Sequence, residues 1–287
     1  MATEVSLGYM TERKNKVNSA RVLRTERLTP HMIRVVLGGE SVAGLTVGDY
    51  TDHYVKLIFA PSGVEYPRPL DLDAIRADLP REQWPRLRTY TIRRWDPAAG
   101  ELTIDFVYHG DVGLGGPWAA AAQPGDEIWF LGPGGGYAPD PAADWHLFAG
   151  DESALPAIAA GLERLPAGAV ARVFVEVADT AEEQPLPTAA DAEIVWVHRD
   201  GHPVGQALTA AVRALAWPAG VPQAFVHGEA GFVRDLRRLL RVEHGLPAAT
   251  LSISGYWRRG VDDEGWRAVK RDWNQRIEAE ESAALAD

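Results

Sequence analysis

The stretch GPGGGYAPDPAADWHLFA (132–149) separates two halves of the sequence that differ in rhythm. Before it, residues 21–28, 31–37, 54–59, 88–94, 102–108 and 127–131 form short runs rich in β-branched and aromatic side chains, separated by Pro, Gly and Asp clusters. Such runs predict strands joined by tight turns, and Pro97-Ala98-Ala99-Gly100 reads as a hairpin connection. With helical character only near 71–78 and 115–120, the first half predicts a small antiparallel barrel or sandwich of six strands over residues 1–140. After the glycines, apolar runs at 145–149, 171–177, 193–197, 224–227 and 250–254 are interleaved with helical patterns at 154–165, 206–215 and 231–244. That alternation predicts an α/β domain with a parallel sheet over residues 141–287. A last helix near 264–284 carries Trp266, Val269, Trp273 and Ile277 at spacings of 3, 4 and 4, a stripe expected to pack on the body of the domain.

Composition narrows the chemistry. The 287 residues contain no cysteine, which excludes disulfides, thiolate nucleophiles, iron–sulfur clusters and cysteine zinc sites. With 29 Lys+Arg against 40 Asp+Glu, the net charge of −11 argues against nucleic acid and anionic lipid as partners. No run approaches 18 apolar residues and the first 16 are polar, so the expectation is a cytoplasmic monomer with no membrane insertion. His198 and His202 are four apart but are separated by the turn-forming Arg199-Asp200-Gly201, and no metal site is expected.

The segment Arg88-Thr89-Tyr90-Thr91-Ile92-Arg93 is the most informative chemically. Two arginines, an aromatic ring and hydroxyls on one strand suit a ligand with a flat ring and a diphosphate, since tyrosine lies against the ring and arginine forks onto phosphate. The alternative is an edge strand with solvated arginines. Farther on, Gly115-Gly116-Pro117-Trp118 opens a helical stretch, where glycines let the backbone approach a diphosphate. A ligand-free glycine-rich turn reads equally well there. Gly132, Gly134 and Gly136 alternate with no helix after them, so no G-x-G-x-x-G dinucleotide fingerprint is present.

The blocks DHYVKLIF (52–59), RTYTIR (88–93), DFVYHG (105–110), GGPWA (115–119), PGDEIWFLGPGG (124–135), AGDESALPAI (149–158), HGEAGFVRDLRRLL (227–240) and GYWRRG (255–260) together resemble the siderophore-interacting proteins. These are FAD-dependent ferric-siderophore reductases related to the ferredoxin reductases. The resemblance implies an FAD-binding barrel followed by a ferredoxin-reductase-like, NAD(P)H-binding-like domain with a C-terminal helical extension. It implies that Arg88, Tyr90, Thr91 and Arg93 hold the flavin ring and phosphates, that Asp105, Val107 and His109 line the rest of the site, and that Gly116, Trp118 and Ala119 contact the diphosphate. Asp151, Glu152 and Ser153 would sit where the sheet domain meets the flavin, with Tyr256 and Trp257 closing the pocket. Lys56 and Arg258 would face the ferric siderophore.

The chemistry is the flavin's, so no catalytic side chain is assigned. One position departs from the family pattern: many members carry an arginine in a Gly-Pro-Arg-Gly turn, where this chain has Gly134. Between Val173 and His198 there is no Lys or Arg, while Glu176, Asp179, Glu182, Glu183, Asp191 and Glu193 all fall there. An acidic environment accepts a ribose 2′-hydroxyl and repels a 2′-phosphate, which favours NADH over NADPH. Reduced ferredoxin is the rival donor, because the C-terminal extension resembles a branch of the family in which nicotinamides are not clearly preferred. The alternatives to a ferric-siderophore reductase are a general flavin or ferredoxin reductase and a non-catalytic siderophore-binding module.

Overall fold

The computed structural model describes residues 16–286. The chain divides after Gly136 into two compact units. The first holds β1 (Asn18–Thr29), β2 (Met32–Gly38), β3 (Tyr54–Phe59), β4 (Arg86–Thr91), β5 (Arg94–Asp96), β6 (Glu101–Val107) and β7 (Glu127–Gly134). All pair antiparallel, in the order β4-β3-β7-β1-β2-β6-β5. Short helices α1 (Glu40–Ala43), α2 (Leu72–Asp78) and α3 (Gly115–Ala121) accompany the sheet.

This corrects the expected six-stranded barrel: the sheet has seven strands and does not close. The run 88–94, read as one strand, is two. The Ile92 N–H donates to the His53 carbonyl (2.6 Å) on the β3 side, and the next residue, Arg93, donates to Thr103 (2.9 Å) in β6. The chain changes partners between these residues, so β4 and β5 become the opposite edges of one open sheet. The hairpin at 97–100 is present, with the Asp96 carboxylate accepting from Ala98 and Ala99 N–H. Alternation drives the packing: Val55 and Leu57 in β3, and Leu102, Ile104 and Phe106 in β6, all fully buried, turn inward against Val35, Leu37 and Phe130. On the other face of β3, Ile58 is covered by Tyr66 and by Leu72 and Ile75 of α2, whose N-terminus is capped by Asp71.

The glycines at 132–136 have a structural reason. β7 bulges against β3, so that Gly132 and Pro133 fall between the pairs Lys56–Leu131 and Tyr54–Gly134. Gly132 has φ +114°, a left-handed value that disfavours side chains.

The second unit contains β8 (Trp145–Asp151), β9 (Val170–Val177), β10 (Asp191–His198), β11 (Pro222–Glu229) and β12 (Leu251–Trp257), all parallel in the order β10-β9-β8-β11-β12. Helices α4 (Leu155–Arg164), α5 (Gln206–Arg213), α6 (Ala230–Arg238) and α7 (Asp263–Ala286) complete it, and α6 runs on as one wide turn over Leu239–Glu243. The strand order reverses between β8 and β11, the switch point at which open α/β sheets leave a crevice at their carboxyl ends. Of the α7 stripe, Trp266 and Ile277 are buried and Trp273 packs on the core, whereas Val269 is 39% exposed. Among the described residues, no helix is long and apolar enough to cross a membrane.

Candidate functional site

In the first unit, the edge strand β4 carries the residues singled out by sequence. Tyr90 pairs with Val55 and Arg88 with Leu57, which places both on the core-facing side of the sheet. The half-buried Tyr90 ring lies 4.4 Å from that of Phe106. A Cβ added at Gly115 would sit 1.8 Å from the Tyr90 hydroxyl, and one at Gly116 2.9 Å from the Val107 carbonyl. The two glycines that open α3 are therefore required by the close approach of Tyr90 and the end of β6. Trp118 packs edge-on against Phe59 and tilted on Phe106, and Ala119 is buried in the same core.

Thr91 is buried, while Arg93, with a side chain 12% exposed, lies 4.0 Å from the Asp105 carboxylate. Asp105 and Val107 alternate with the core residues Ile104 and Phe106 and so share the opposite face of β6. Directly across from Asp105, Arg34 in β2 forks onto its carboxylate at 2.7 and 2.8 Å. Sequence reasoning missed Arg34. Its signal was an arginine inside the apolar run MIRVVLG facing an aspartate inside the apolar run ELTIDFV. The fork fixes Asp105, and Asp105 in turn holds Arg93. His109, exposed beyond β6, belongs to the loop that continues through Gly110 and Gly113, both left-handed, with open space where a Cβ would stand.

Lys56 pairs with Thr89 and Leu131, on the face of β3 opposite to Arg88 and Tyr90. Tyr54 precedes it on that same face.

In the second unit the site residues cluster at the carboxyl ends of the strands, at the switch point. Asp151, wholly buried at the end of β8, accepts four hydrogen bonds. One oxygen takes the backbone N–H and the hydroxyl of Ser153, and the other takes the Glu229 N–H (2.9 Å) and the Trp257 indole N–H (2.8 Å). Burial pushes its carboxyl up to about 6, reinforced by the neighbouring Glu152 and opposed by the Ser153 hydroxyl, the Trp257 indole and the Glu229 N–H. Asp151, Ser153 and Trp257, read separately in the sequence, are thus one unit that ties β8, β11 and β12 together. Glu152 is bound by both guanidinium nitrogens of Arg199, which also lies 3.7 Å from the buried Glu176. Tyr256 meets His227 edge-on at 5.0 Å, and burial drives that imidazole down to about 3. Arg258 is exposed beyond the strand, and the backbone of Arg259 donates to Glu229.

The acidic stretch after β9 is largely consumed by the fold. Glu176 accepts from the N–H groups of Gly205 and Leu208 at the start of α5, and Asp179 accepts from Ala181. Glu183 binds His198 at 2.8 Å, and Glu193 pairs with Arg172 at 3.2 Å. The fold also brings Arg172 and Arg199 to these carboxylates. The sequence argument for NADH over NADPH assumed carboxylates available to a ribose, and most of them are engaged internally.

The groups around β4 fit FAD: Arg88 and Tyr90 on the edge strand, Arg93 just beyond it and 4.0 Å from the Asp105 carboxylate, and an open glycine loop following β6. When bound, FAD takes up two electrons and delivers them singly.

Residues 21–137 match the model of the siderophore-interacting FAD-binding domain, and residues 143–260 match that of the siderophore-interacting protein. An uncharacterized protein of Mycobacterium tuberculosis is 49% identical over 271 residues, covering 89% of this chain and 95% of the relative. The ferric vibriobactin reductase ViuB of Vibrio cholerae is 35% identical over 253 residues, covering 85% of this chain and 90% of the relative. The crystal structure of a siderophore utilization protein from T. fusca aligns with a TM-score of 0.74 at 42% identity, covering 86% of this chain and 95% of that one. With both domains matched in order and relatives aligned over most of their length, the chain belongs to the siderophore-interacting proteins, a family of flavin-dependent oxidoreductases.

Proposed function

We propose that this chain is an FAD-dependent ferric-siderophore reductase of the cytoplasm, acting as a monomer. A soluble donor, NADH or reduced ferredoxin, supplies electrons that pass through the flavin to Fe(III) held by a siderophore. For NADH, oxidation to NAD⁺ and H⁺ gives up two electrons, enough to reduce two ferric ions. Hard oxygen chelators hold Fe(II) weakly, so reduction frees the metal. In this reading Tyr90 and Thr91 contact the flavin ring and Arg88 and Arg93 its phosphates. Asp105, fixed by Arg34, keeps Arg93 in place, and Val107, His109, Gly116, Trp118 and Ala119 form the remaining wall. Asp151, with Glu152 and Ser153, anchors Trp257 and hence Tyr256 at the switch point, while Lys56 and Arg258 face the anionic chelate.

The observation that carries this reading is the edge strand β4, with Arg93 held by a buried carboxylate that is itself forked by Arg34, in a chain that matches the family over both domains. The test is reconstitution. The purified protein should bind FAD and turn yellow, and with NADH or reduced ferredoxin it should release Fe(II), trapped by a ferrous-specific dye, from ferric siderophores. A protein that binds no FAD ends the reading. A ratio of kcat/KM for NADPH over NADH well above one ends the NADH preference.

A further inference from the structure

We propose that Lys270 is an acylation site: its amine takes an acyl group from an activated donor, an acyl thioester or an acyl phosphate, and the acylated side chain holds α7 on the sheet more firmly than the lysine does. The inference goes beyond the reductase reading and does not depend on it.

The seam by which α7 docks runs through Trp266, Lys270, Trp273 and Ile277, at spacings of 4, 3 and 4, while Val269 is 39% exposed. Trp266 and Ile277 are buried, Trp273 packs on the core, and the rings of Trp266 and Trp273 meet edge-on at 5.3 Å. A half-buried lysine thus takes one place in an otherwise apolar stripe, an arrangement that lowers stability.

The surroundings do little to compensate its charge. The Lys270 Nζ donates to the Ser254 hydroxyl in β12 at 3.1 Å, and among the described residues Lys270 forms no ion pair. The carboxylate that favours its charge, Asp263, stands seven residues earlier and pairs with Arg267 at 3.9 Å. On the sheet side the Lys270 charge acts on His227 in β11, which is 4% exposed, has its Nε2 2.9 Å from the Ser252 hydroxyl and its Nδ1 buried with no partner. Burial pushes the Lys270 amine down from the ordinary lysine range, with the Asp263 charge opposing.

That environment has two chemical consequences. A neutral amine is a nucleophile and an ammonium is not, so a desolvated lysine reacts at a pH where exposed lysines stay protonated. The nitrogen lone pair forms a bond to the acyl carbon, and the C–S bond of the thioester or the C–O bond of the acyl phosphate breaks. The proton lost by nitrogen ends on the thiolate or the phosphate. The amide that results carries no charge to desolvate and keeps one N–H for Ser254, so acylation clears the charge from the seam while retaining its hydrogen bond.

The chain has four lysines, Lys14, Lys16, Lys56 and Lys270, so the others serve as internal references. The test treats the full-length, FAD-saturated protein with acetyl-CoA or with acetyl phosphate between pH 6 and 9.5 and reads occupancy at each lysine by peptide mass spectrometry. Lys270 should be acetylated about 3- to 10-fold faster than the exposed Lys16 at pH 7.5, and its rate should level off at a lower pH. Labelling by either donor supports the site and identifies the source of the acyl group. The acetylated protein should melt about 2 to 4 °C higher. Lys270→Gln should reproduce most of that rise, and Lys270→Arg, which keeps the charge and takes no acyl group, should show none on treatment. An unchanged flavin spectrum certifies each variant as folded, and the acetylated wild type decides the matter if Lys270→Gln does not fold. Labelling of Lys270 no faster than Lys16 with the same pH profile, or a melting temperature that falls on acetylation, overturns the proposal. Neither readout needs turnover, so failure of the reductase reading leaves this one standing.

Discussion

Asp105 in the first unit and Asp151 in the second are both buried aspartates at predicted site positions, and the protein satisfies them in opposite ways. Asp105 faces cations: Arg34 forks onto it from the neighbouring strand and Arg93 stands 4.0 Å away. Asp151 meets only neutral donors, two backbone N–H groups, a hydroxyl and an indole, with the carboxylate of Glu152 nearby. Pairing with a cation makes the geometry of Asp105 depend on its partner. Neutral donors leave Asp151 titratable near physiological pH while still holding three strand ends. One carboxylate thus stands beside an arginine, and the other positions an aromatic segment.

The most disruptive way to break this contrast is to remove Arg34. Arg34→Met leaves Asp105 buried with a single distant cation, and loss of one partner of a largely buried pair costs about 3 to 5 kcal/mol. Denaturant unfolding should show that loss, together with weaker FAD binding as Arg93 loses its fixed partner. The double variant Arg34→Met/Asp105→Leu should recover most of the stability, because an apolar pair of similar volume replaces both charges, but it should not recover FAD affinity. Recovery of both would mean that Asp105 does not position Arg93.

A second test acts on Asp151 through pH. Its folded value of about 6 lies above the ordinary aspartate value of 3.8, so between those limits the native state holds more protons than the unfolded chain. Stability from this group is therefore greatest below about pH 4 and falls as pH rises through 6, by on the order of 3 kcal/mol. Asp151→Asn should abolish this slope in urea titrations between pH 4 and 7. The variant also lowers stability at every pH, since one carboxamide oxygen serves only one of the two donor pairs and its NH₂ faces the other. A slope that survives in Asp151→Asn would assign the titration to another group.

Much of this arrangement was legible in the sequence, and the rest failed for identifiable reasons. The parallel domain was read nearly element by element, because its helices carry 3.6-residue periodicity and its buried strands are continuous apolar runs such as WHLFAGD. The break at Ile92 was not legible. β-propensity continues unbroken from Arg88 to Arg94, and only the tertiary exchange of β3 for β6 divides the run. Val269 fits the helical stripe by spacing yet is exposed, since α7 buries a narrower seam than the pattern allows. At the site, residue types pointed to Arg88, Tyr90 and Arg93, but the Arg34 that forks onto Asp105 across a strand depends on register that no local pattern records. The partners of the acidic stretch from Glu176 to Glu193 were illegible for the same reason: counting carboxylates does not show which are already bonded.

The smallest expected effect sharpens the comparison most. Trp257→Phe keeps the ring and removes one of the four donors to Asp151. Loss of one hydrogen bond to a buried carboxylate costs about 1 to 2 kcal/mol at pH 8, where the group is ionised, and less below pH 5, where it is protonated. Because the indole favours the charged form, its removal should also move the midpoint of the pH–stability transition upward by roughly one unit. A mere loss of packing would lower stability equally at all pH values and leave the midpoint in place. Combining the Trp257→Phe difference with Asp151→Asn closes a double-mutant cycle: non-additivity of about 1 kcal/mol at pH 8 that vanishes at pH 4.5 would identify the indole–carboxylate bond as the contact that orients Trp257. Additivity at both pH values would instead make Trp257 a packing residue whose position does not depend on Asp151.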